Sequence, residues 1–394
     1  MKREPAVKPS VLFLHNKYQK LGGEDSVVSN EFNLLKKEGY TVFYREFDNE
    51  NLGKRKLLSG VGGSFHLFFN VPAFVSLYFF IRRNKIDVVH VHNFFYTASP
   101  SVFWAAKAAG AKTVMTMHNY RLFCLNAILF RNGSTCTTCI SSKHFREGIA
   151  HKCFKSSSIF SRALAGSTLF HRKIGTWRKK VDRFIVLNPF MKELLLGIGV
   201  NGSNISVKPN FIADSDYNNY EGREDFYLYA GRLQEEKGIR HVIEAFNASG
   251  KQLIVAGEGD MVDFIRANAG ANISYIGQQD RAALTSLLLN CKGFIFSSFL
   301  TEGMPMTIIE AHAAGAIPVV GSSVNTERMI TDGEDGFLYN CGDPASLNSQ
   351  IEKLESLSTG DLNEMSLNAR KKFENYYHEK SHLAVIGELY SKGD

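Results

Sequence analysis

Short apolar runs recur along the chain, most of them separated by stretches with the spacing of amphipathic helices. In the first half, Val11–His15, Thr41–Tyr44, Val88–His92, Thr113–Met117 and Phe184–Leu187 predict buried strands. A helix is predicted from Ser26 to Glu38 behind the turn LGGED, and Asn188–Pro189 caps another after the fifth run. The second half repeats the theme. Strands are predicted at Phe226–Ala230, Leu253–Ala256, Ile273–Ile276, Phe294–Phe296 and Pro318–Val320, with helices at Ile239–Ala248, Arg281–Leu289, Thr307–Ala314 and Ala345–Leu357. Alternation of this kind predicts parallel sheets with helices on both faces.

The 394 residues exceed one typical domain. The polar, turn-rich segment Val207–Tyr220 is the expected linker. The fold expected is α/β, with two Rossmann-like doubly wound domains facing each other across a cleft. Residues 1–206 form the first domain, with a Cys-containing insertion around 120–160, and residues 207–372 the second. A helix in 373–394 is expected to return to the first. In such sheets ligands bind outside the carboxyl ends of the strands.

The most apolar stretch, Phe65–Ile81, is interrupted by His66, Asn70 and Pro72 and is short for a bilayer span. It predicts a buried or half-buried helix; the alternative is a helix lying in a membrane interface, with Arg82, Arg83 and Lys85 at its end. The apolar run after the basic start is too short for a secretory signal, which predicts a cytoplasmic protein, peripheral at most on the membrane. Charge is split between the halves. Residues 1–200 carry a net +18 and the remainder −11, and no carboxylate occurs between Asp87 and Glu147. The basic half is expected to face an anionic lipid surface or acceptor.

Two loops carry the chemistry. After the strand Phe294–Phe296 comes Ser298–Glu310, SFLTEGMPMTIIE. Pro305 suits the first helical position, so Gly303 and Met304 would offer free N–H groups to a phosphate. Glu302 and Glu310 are too far apart along the chain for a close acid–base pair, but each carboxylate can accept hydroxyl hydrogen bonds from one extended ligand. After the strand Phe226–Ala230 comes GRLQEEKG, a glycine-bounded loop whose Arg232 and Lys237 suit a diphosphate.

With GRLQEEKG, TEGMPMTIIEAHAAG and IVAGEG in order, the sequence resembles glycosyltransferase family 4, retaining enzymes of GT-B architecture. The resemblance implies that Arg232 and Lys237 grip a nucleotide-sugar diphosphate. Glu302 would contact donor sugar hydroxyls, Glu310 the ribose, and Gly303–Met304 the phosphates. By the same resemblance Gly22 and Gly23 form a loop over donor phosphate and acceptor, although Glu24–Asp25 departs from the usual form. His118 resembles the family histidine near the donor sugar, and Arg121 is a candidate for facing a phosphate. His90 and His92 are expected on opposite faces of one strand, at most one of them toward the ligand. The acceptor hydroxyl would attack the face that the diphosphate leaves. The implied acceptor is a saccharide or a polyprenyl-diphosphate-linked sugar at the inner face of the membrane, in bacterial surface polysaccharide assembly, and nucleic acid is not expected as a partner.

Asp214-Ser-Asp216 imitates a metal-binding Asp-x-Asp but lies in the linker, so no catalytic metal is expected. Cys124, Cys136, Cys139 and Cys153 are spaced C-x11-C-x2-C-x13-C, which can supply four thiolates to a structural zinc; reduced core thiols or disulfides are the alternatives. A basic anion- or nucleic-acid-binding protein with a zinc module would account for the charge and the cysteines, but not for GRLQEEKG and the two glutamates. Gly257-Glu-Gly259 lacks the third glycine of a dinucleotide-binding loop, which argues against a dehydrogenase.

Overall fold

The computed structural model describes residues 8–17, 23–48, 66–95, 97–214, 217, 223–323 and 325–391. Gly22, Asp216 and much of the expected linker lie outside the described residues. The chain forms two compact units, one of residues 1–128, 137–209 and 382–394, the other of residues 129–136 and 210–381.

The strands of the first half are β1 (Val11–Lys17), β2 (Val42–Asp48), β3 (Val88–Val91), β4 (Lys112–Met117), a small hairpin of β5 (Phe130–Arg131) and β6 (Ser134–Thr135), β7 (Arg183–Val186) and β8 (Ile205–Val207). The first unit is built on a parallel sheet of order β2-β1-β3-β4-β7-β8. Residues Val11–Leu14 are buried on both faces, which is why β1 reads as an unbroken apolar run rather than an alternation. The chain steps from β1 to β2 on one side and later to β3 on the other. The order therefore reverses between β1 and β3, opening a crevice at their carboxyl ends.

The second unit repeats the plan with β9 (Glu224–Ala230), β10 (Leu253–Ala256), β11 (Ile273–Gly277), β12 (Cys291–Phe296), β13 (Ile317–Gly321) and β14 (Phe337–Tyr339). Their order is β11-β10-β9-β12-β13-β14, so the reversal falls between β9 and β12, the two strands that feed the two chemical loops. Asn188 caps its helix as expected, its side chain accepting from the Met191 N–H with Pro189 in the first turn.

Two expectations change. The apolar stretch does not form one helix from Phe65. The helix runs Val71–Asn84, because Asn70 caps it through the Ala73 N–H and Pro72 occupies the first turn. It buries Ala73, Leu77 and Ile81, while Val71 (57%), Val75 (43%) and Phe79 (65%) are exposed at the same four-residue spacing on the other side. At 14 residues it is about 21 Å long. Among the described residues no helix is long and apolar enough to cross a membrane. Pro305 is likewise the N-cap of its helix, Met306–Ala313, and not its first residue; its ψ of 119° is extended rather than helical.

The C-terminal helix Glu379–Tyr390 supplies Ile386, Leu389 and Tyr390 to the first unit's core beside Val11, Phe13 and Val88. The insertion around 120–160 has little regular structure beyond the hairpin and two short helices, Thr138–Ser141 and Arg146–Ala150. Ala127, Leu129, Asn132, Lys143, Lys152, Lys155 and Ser156 all hold positive φ there, an unfavourable backbone for L side chains that persists only where its surroundings enforce it.

Candidate functional site

In the second unit both loops leave the sheet at the β9/β12 reversal and are tied together. Lys237 Nζ donates to Glu302 Oε1 at 2.5 Å, and the same oxygen accepts from Ser298 Oγ at 2.7 Å. The Phe299 N–H donates to the Glu236 carbonyl at 2.9 Å, joining the loops through the backbone as well. Gly238 makes this approach possible. It holds φ +68°, and a Cβ there would sit 2.1 Å from Ser297 Oγ. Glu302 is held in place from behind by Asn325, whose Nδ2 donates to the Glu302 carbonyl.

Arg232 is exposed and Glu310 half-buried, and among the described residues neither side chain has a hydrogen-bond or ion-pair partner. Burial raises the Glu310 carboxyl above its usual range, with Arg281 pulling the other way. A partly buried carboxylate without a donor, on a helix that starts at the sheet's carboxyl edge, is arranged to accept ligand hydroxyls. Met304 is positioned by Asn210, whose N–H lies 3.3 Å from the Met304 sulfur. Gly257 serves packing rather than a dinucleotide, since a Cβ there would lie 1.8 Å from the Gly231 carbonyl oxygen.

In the first unit, Gly23 opens the helix Gly23–Lys37 at the carboxyl end of β1. Asp25 Oδ1 lies 2.9 Å from His15 Nε2 and Glu24 Oε1 lies 3.9 Å from His15 Nδ1, so the two acids of the loop face a buried histidine. His118 directly follows β4, which ends at Met117. Its Nε2 is 3.0 Å from His92 Nδ1, and burial lowers its pKa to about 3, so the ring is neutral. The expectation for His90 and His92 is overturned. Residues two apart on a strand share a face, and both rings reach Glu31, with His90 Nδ1 at 3.0 Å and His92 Nε2 at 3.9 Å from Oε1.

Glu31, unsignalled in the sequence, is the centre of a buried basic cluster. Its Oε2 faces His382 Nε2 at 3.2 Å and Lys208 Nζ at 4.0 Å. Lys208 Nζ donates to His382 Nδ1 at 2.7 Å. Burial alone would raise the Glu31 carboxyl, but His90 and His382 hold it well below the usual range. Burial lowers Lys208 to about 8. The ligand atoms of Glu31, His90 and His92 lie within 4.8 Å of one another, a spacing that could suit a metal. His90, however, is already engaged at both nitrogens, with the Tyr390 hydroxyl at 2.6 Å and Thr116 Oγ1 at 2.7 Å.

Arg121 packs against the Phe95 and Phe154 rings and donates to the Leu125 carbonyl, an arrangement of packing rather than phosphate binding. Asp214 pairs with Arg370, which uses up the carboxylate that imitated a metal ligand. No disulfide joins any of the six cysteines, all of which are described. Cys139 Sγ and the Cys153 backbone both border Gly148, and the Cys124 thiol donates to Asn126 Oδ1 at 2.8 Å.

The sequence profile described as "Glycosyl transferases group 1" matches residues 212–372, and that described as "Glycosyltransferase Family 4" matches residues 21–216. The chain is 29% identical over 159 residues to the phosphatidyl-myo-inositol mannosyltransferase of Mycobacterium leprae, a match spanning 38% of this chain and only 40% of that protein. It is 22% identical over 350 residues to the UDP-Gal:alpha-D-GlcNAc-diphosphoundecaprenol alpha-1,3-galactosyltransferase of Escherichia coli, covering 82% of this chain and 79% of that one. Its fold is similar to that of Anabaena Alr3699/HepE, crystallised with UDP, with a TM-score of 0.68 at 14% identity over 96% of this chain and 98% of that one.

Proposed function

The chain belongs to the group 1 glycosyltransferases and has their GT-B-type fold of two parallel-sheet α/β units; from that premise we propose that it moves a sugar, with retention of configuration, from a nucleotide-diphosphate donor to a lipid-linked saccharide. The observation that carries this reading is the junction of the two loops at the β9/β12 reversal through Lys237, Glu302 and Ser298. Arg232 and Lys237 hold the diphosphate, with the Gly303 and Met304 N–H groups beside them. Glu310 accepts the ribose hydroxyls and Glu302 those of the sugar. His118 is assigned a sugar hydroxyl, and Gly22 and Gly23 a phosphate or acceptor group, on the resemblance to the family. In the step itself the bond from the anomeric carbon to phosphate oxygen breaks with its electron pair going to the diphosphate. The acceptor oxygen bonds the anomeric carbon on the same face, and its proton passes to the departing phosphate oxygen. The chain contributes orientation and positive charge where the departing diphosphate gains negative charge, and no metal or other cofactor is assigned to this step.

A screen of nucleotide sugars for thermal stabilisation and donor hydrolysis, followed by the product's anomeric configuration, tests the reading. Stabilisation by one nucleotide family and an anomer matching the donor are expected. No stabilisation by any nucleotide sugar, or an inverted product, would overturn it.

The acceptor is assigned to polysaccharide assembly at the cytoplasmic face of a membrane. The basic first half supports this, as does the E. coli relative, whose name specifies a diphosphoundecaprenol-linked acceptor. Val71, Val75 and Phe79 form an exposed apolar stripe ending at Arg82 and Arg83, suited to the interface of an anionic bilayer. Changing both Val75 and Phe79 to Ser should reduce flotation with anionic vesicles by roughly tenfold or more, since each buried side chain contributes about 1.5–3 kcal/mol. Equal flotation of variant and parent would remove this face from the proposal.

We also assign one structural zinc to Cys124, Cys136, Cys139 and Cys153. The sequence spacing is what supports it; among the described residues the close group of possible metal ligands is Glu31, His90 and His92 and does not include these cysteines. Elemental analysis of the purified protein should find about one zinc per chain. A zinc-free protein with unchanged melting temperature would refute it.

A further inference from the structure

The buried cluster around Glu31 has a geometry that bears on His118, and the inference rests on the proposed role of His118 at the sugar. We infer that Glu31, acting through His92, is a positioning residue that fixes the tautomer of His118, so that His118 presents Nδ1 as a bare hydrogen-bond acceptor to a sugar hydroxyl.

The effect passes along three side chains, from Glu31 through His92 to His118. Glu31 is fully buried and faces His90, His92, His382 and Lys208, so it is held as the carboxylate. His92 Nε2 points at Glu31 Oε1 from 3.9 Å and has no hydrogen-bond partner, while Oε1 also lies 3.0 Å from His90 Nδ1. A lone pair aimed at a buried carboxylate is repelled, whereas an N–H dipole there is attracted, and little water intervenes to screen either. The proton of His92 therefore sits on Nε2. Burial keeps His92 neutral, so its Nδ1 is the acceptor. His118 Nε2, 3.0 Å from that Nδ1, must then donate. His118 is also neutral, which leaves its Nδ1 without a proton. Among the described residues nothing bonds that nitrogen, and it is not sealed from solvent as the orphaned atoms of the cluster are. A hydroxyl donor suits it, whereas an acceptor such as a phosphate oxygen does not.

Nitrogen-15 NMR of the histidine side chains in the full-length protein tests this directly, with the His118 signals assigned from a His118→Gln variant. The parent should show His118 with a proton on Nε2 and none on Nδ1. The opposite tautomer in the parent overturns the inference whatever the activity. Glu31→Gln should convert His118 to a mixture of tautomers and lower kcat for transfer by about tenfold, with a smaller change in donor KM. Because Glu31 sits among buried basic groups, a second pair of variants guards against misfolding. His92→Gln keeps an acceptor for the His118 proton and should retain the tautomer, whereas His92→Leu should lose it; equal tautomer populations in these two also overturn it. Loss of a bound metal in Glu31→Gln, seen by elemental analysis, would make ligation the purpose of the cluster and overturn tautomer control. The tautomer is measured without donor or acceptor. Failure of the glycosyltransferase reading would appear as no transfer with any donor, and is separable from failure here.

Discussion

Replacing Lys237 by alanine should lower sugar transfer by roughly two to three orders of magnitude, the usual cost of removing one preorganised donor to developing charge. Lys237 and Glu302 are largely buried, with side-chain exposures of 15% and 18%, and the ammonium is already directed by Glu302 before any donor arrives. Its position is thus fixed in advance, which is what makes such a group effective in a transition state. The substitution also removes one donor from Glu302, which keeps its hydrogen bond from Ser298. That should cost on the order of 1 kcal/mol of stability, or a few degrees in melting temperature for a unit of this size. The two effects separate cleanly, because a few degrees cannot account for a hundredfold loss at 25 °C. Initial rates and thermal unfolding of Lys237→Ala, Glu302→Gln and the double variant provide the check. If the pair only braces the two loops, each single variant will retain at least a tenth of the parent rate, and the catalytic assignment fails. If the residues act on one ligand, the double variant will be little worse than the poorer single one.

Mild acid should destabilise the protein well before its carboxylates titrate. Burial lowers His118 to about 3 and His382 to about 4, and lowers His92, His171 and His312 in the same direction. His118 and His382 thus stay neutral at pH 5 in the folded state, while the unfolded chain takes up protons near pH 6.5. The unfolded state thus binds more protons, so stability is complete above about pH 6.5 and falls as pH drops toward the folded values. At pH 5, His118 and His382 each contribute a loss of about 2 kcal/mol. The depressed carboxyls work in a lower window. Asp335 and Glu355, both at about 2, keep their stabilisation until pH falls below the usual carboxylate range. Between pH 7 and 5 the histidines therefore set the slope. Thermal unfolding at pH 7, 6 and 5 should show a steady fall in melting temperature, shallower in a His382→Phe variant. A flat profile over that interval would mean that the cluster takes up protons freely in the fold.

How legible all this is in the amino-acid sequence depends on the range of the interaction. Leu253–Ala256 is found with the bounds expected for it, because a strand buried on both faces writes itself as a local apolar run. β8 and β14 escape notice, since three residues are too few to carry a period. The donor-side loops are readable because glycines, cations and acids fall at fixed offsets after strands. The Lys237–Glu302 pair is not, as it joins positions 65 apart. Glu31 is less readable still. On a helix it looks like one more surface acid, and only the return of His382 and the convergence of β3 beside it make it the hub of the cluster. A faulty face assignment concealed His90 and His92 as its partners, although their spacing of two already placed them together.

The C-terminal helix also sets a timetable. Ile386, Leu389 and Tyr390 complete the core next to β1 and β3, and His382 reaches Glu31, so the first unit lacks part of its interior until the second unit and this helix have been made. From residue 209 to residue 390, at 5–20 residues per second, that wait is roughly 9 to 36 s. During it, the carboxylate of Glu31 and the apolar groove awaiting the helix stand open to water and to other nascent chains. The first unit is thus the earliest synthesised and the last finished, and shortening the chain by its final dozen residues should harm it rather than the unit that immediately precedes the cut.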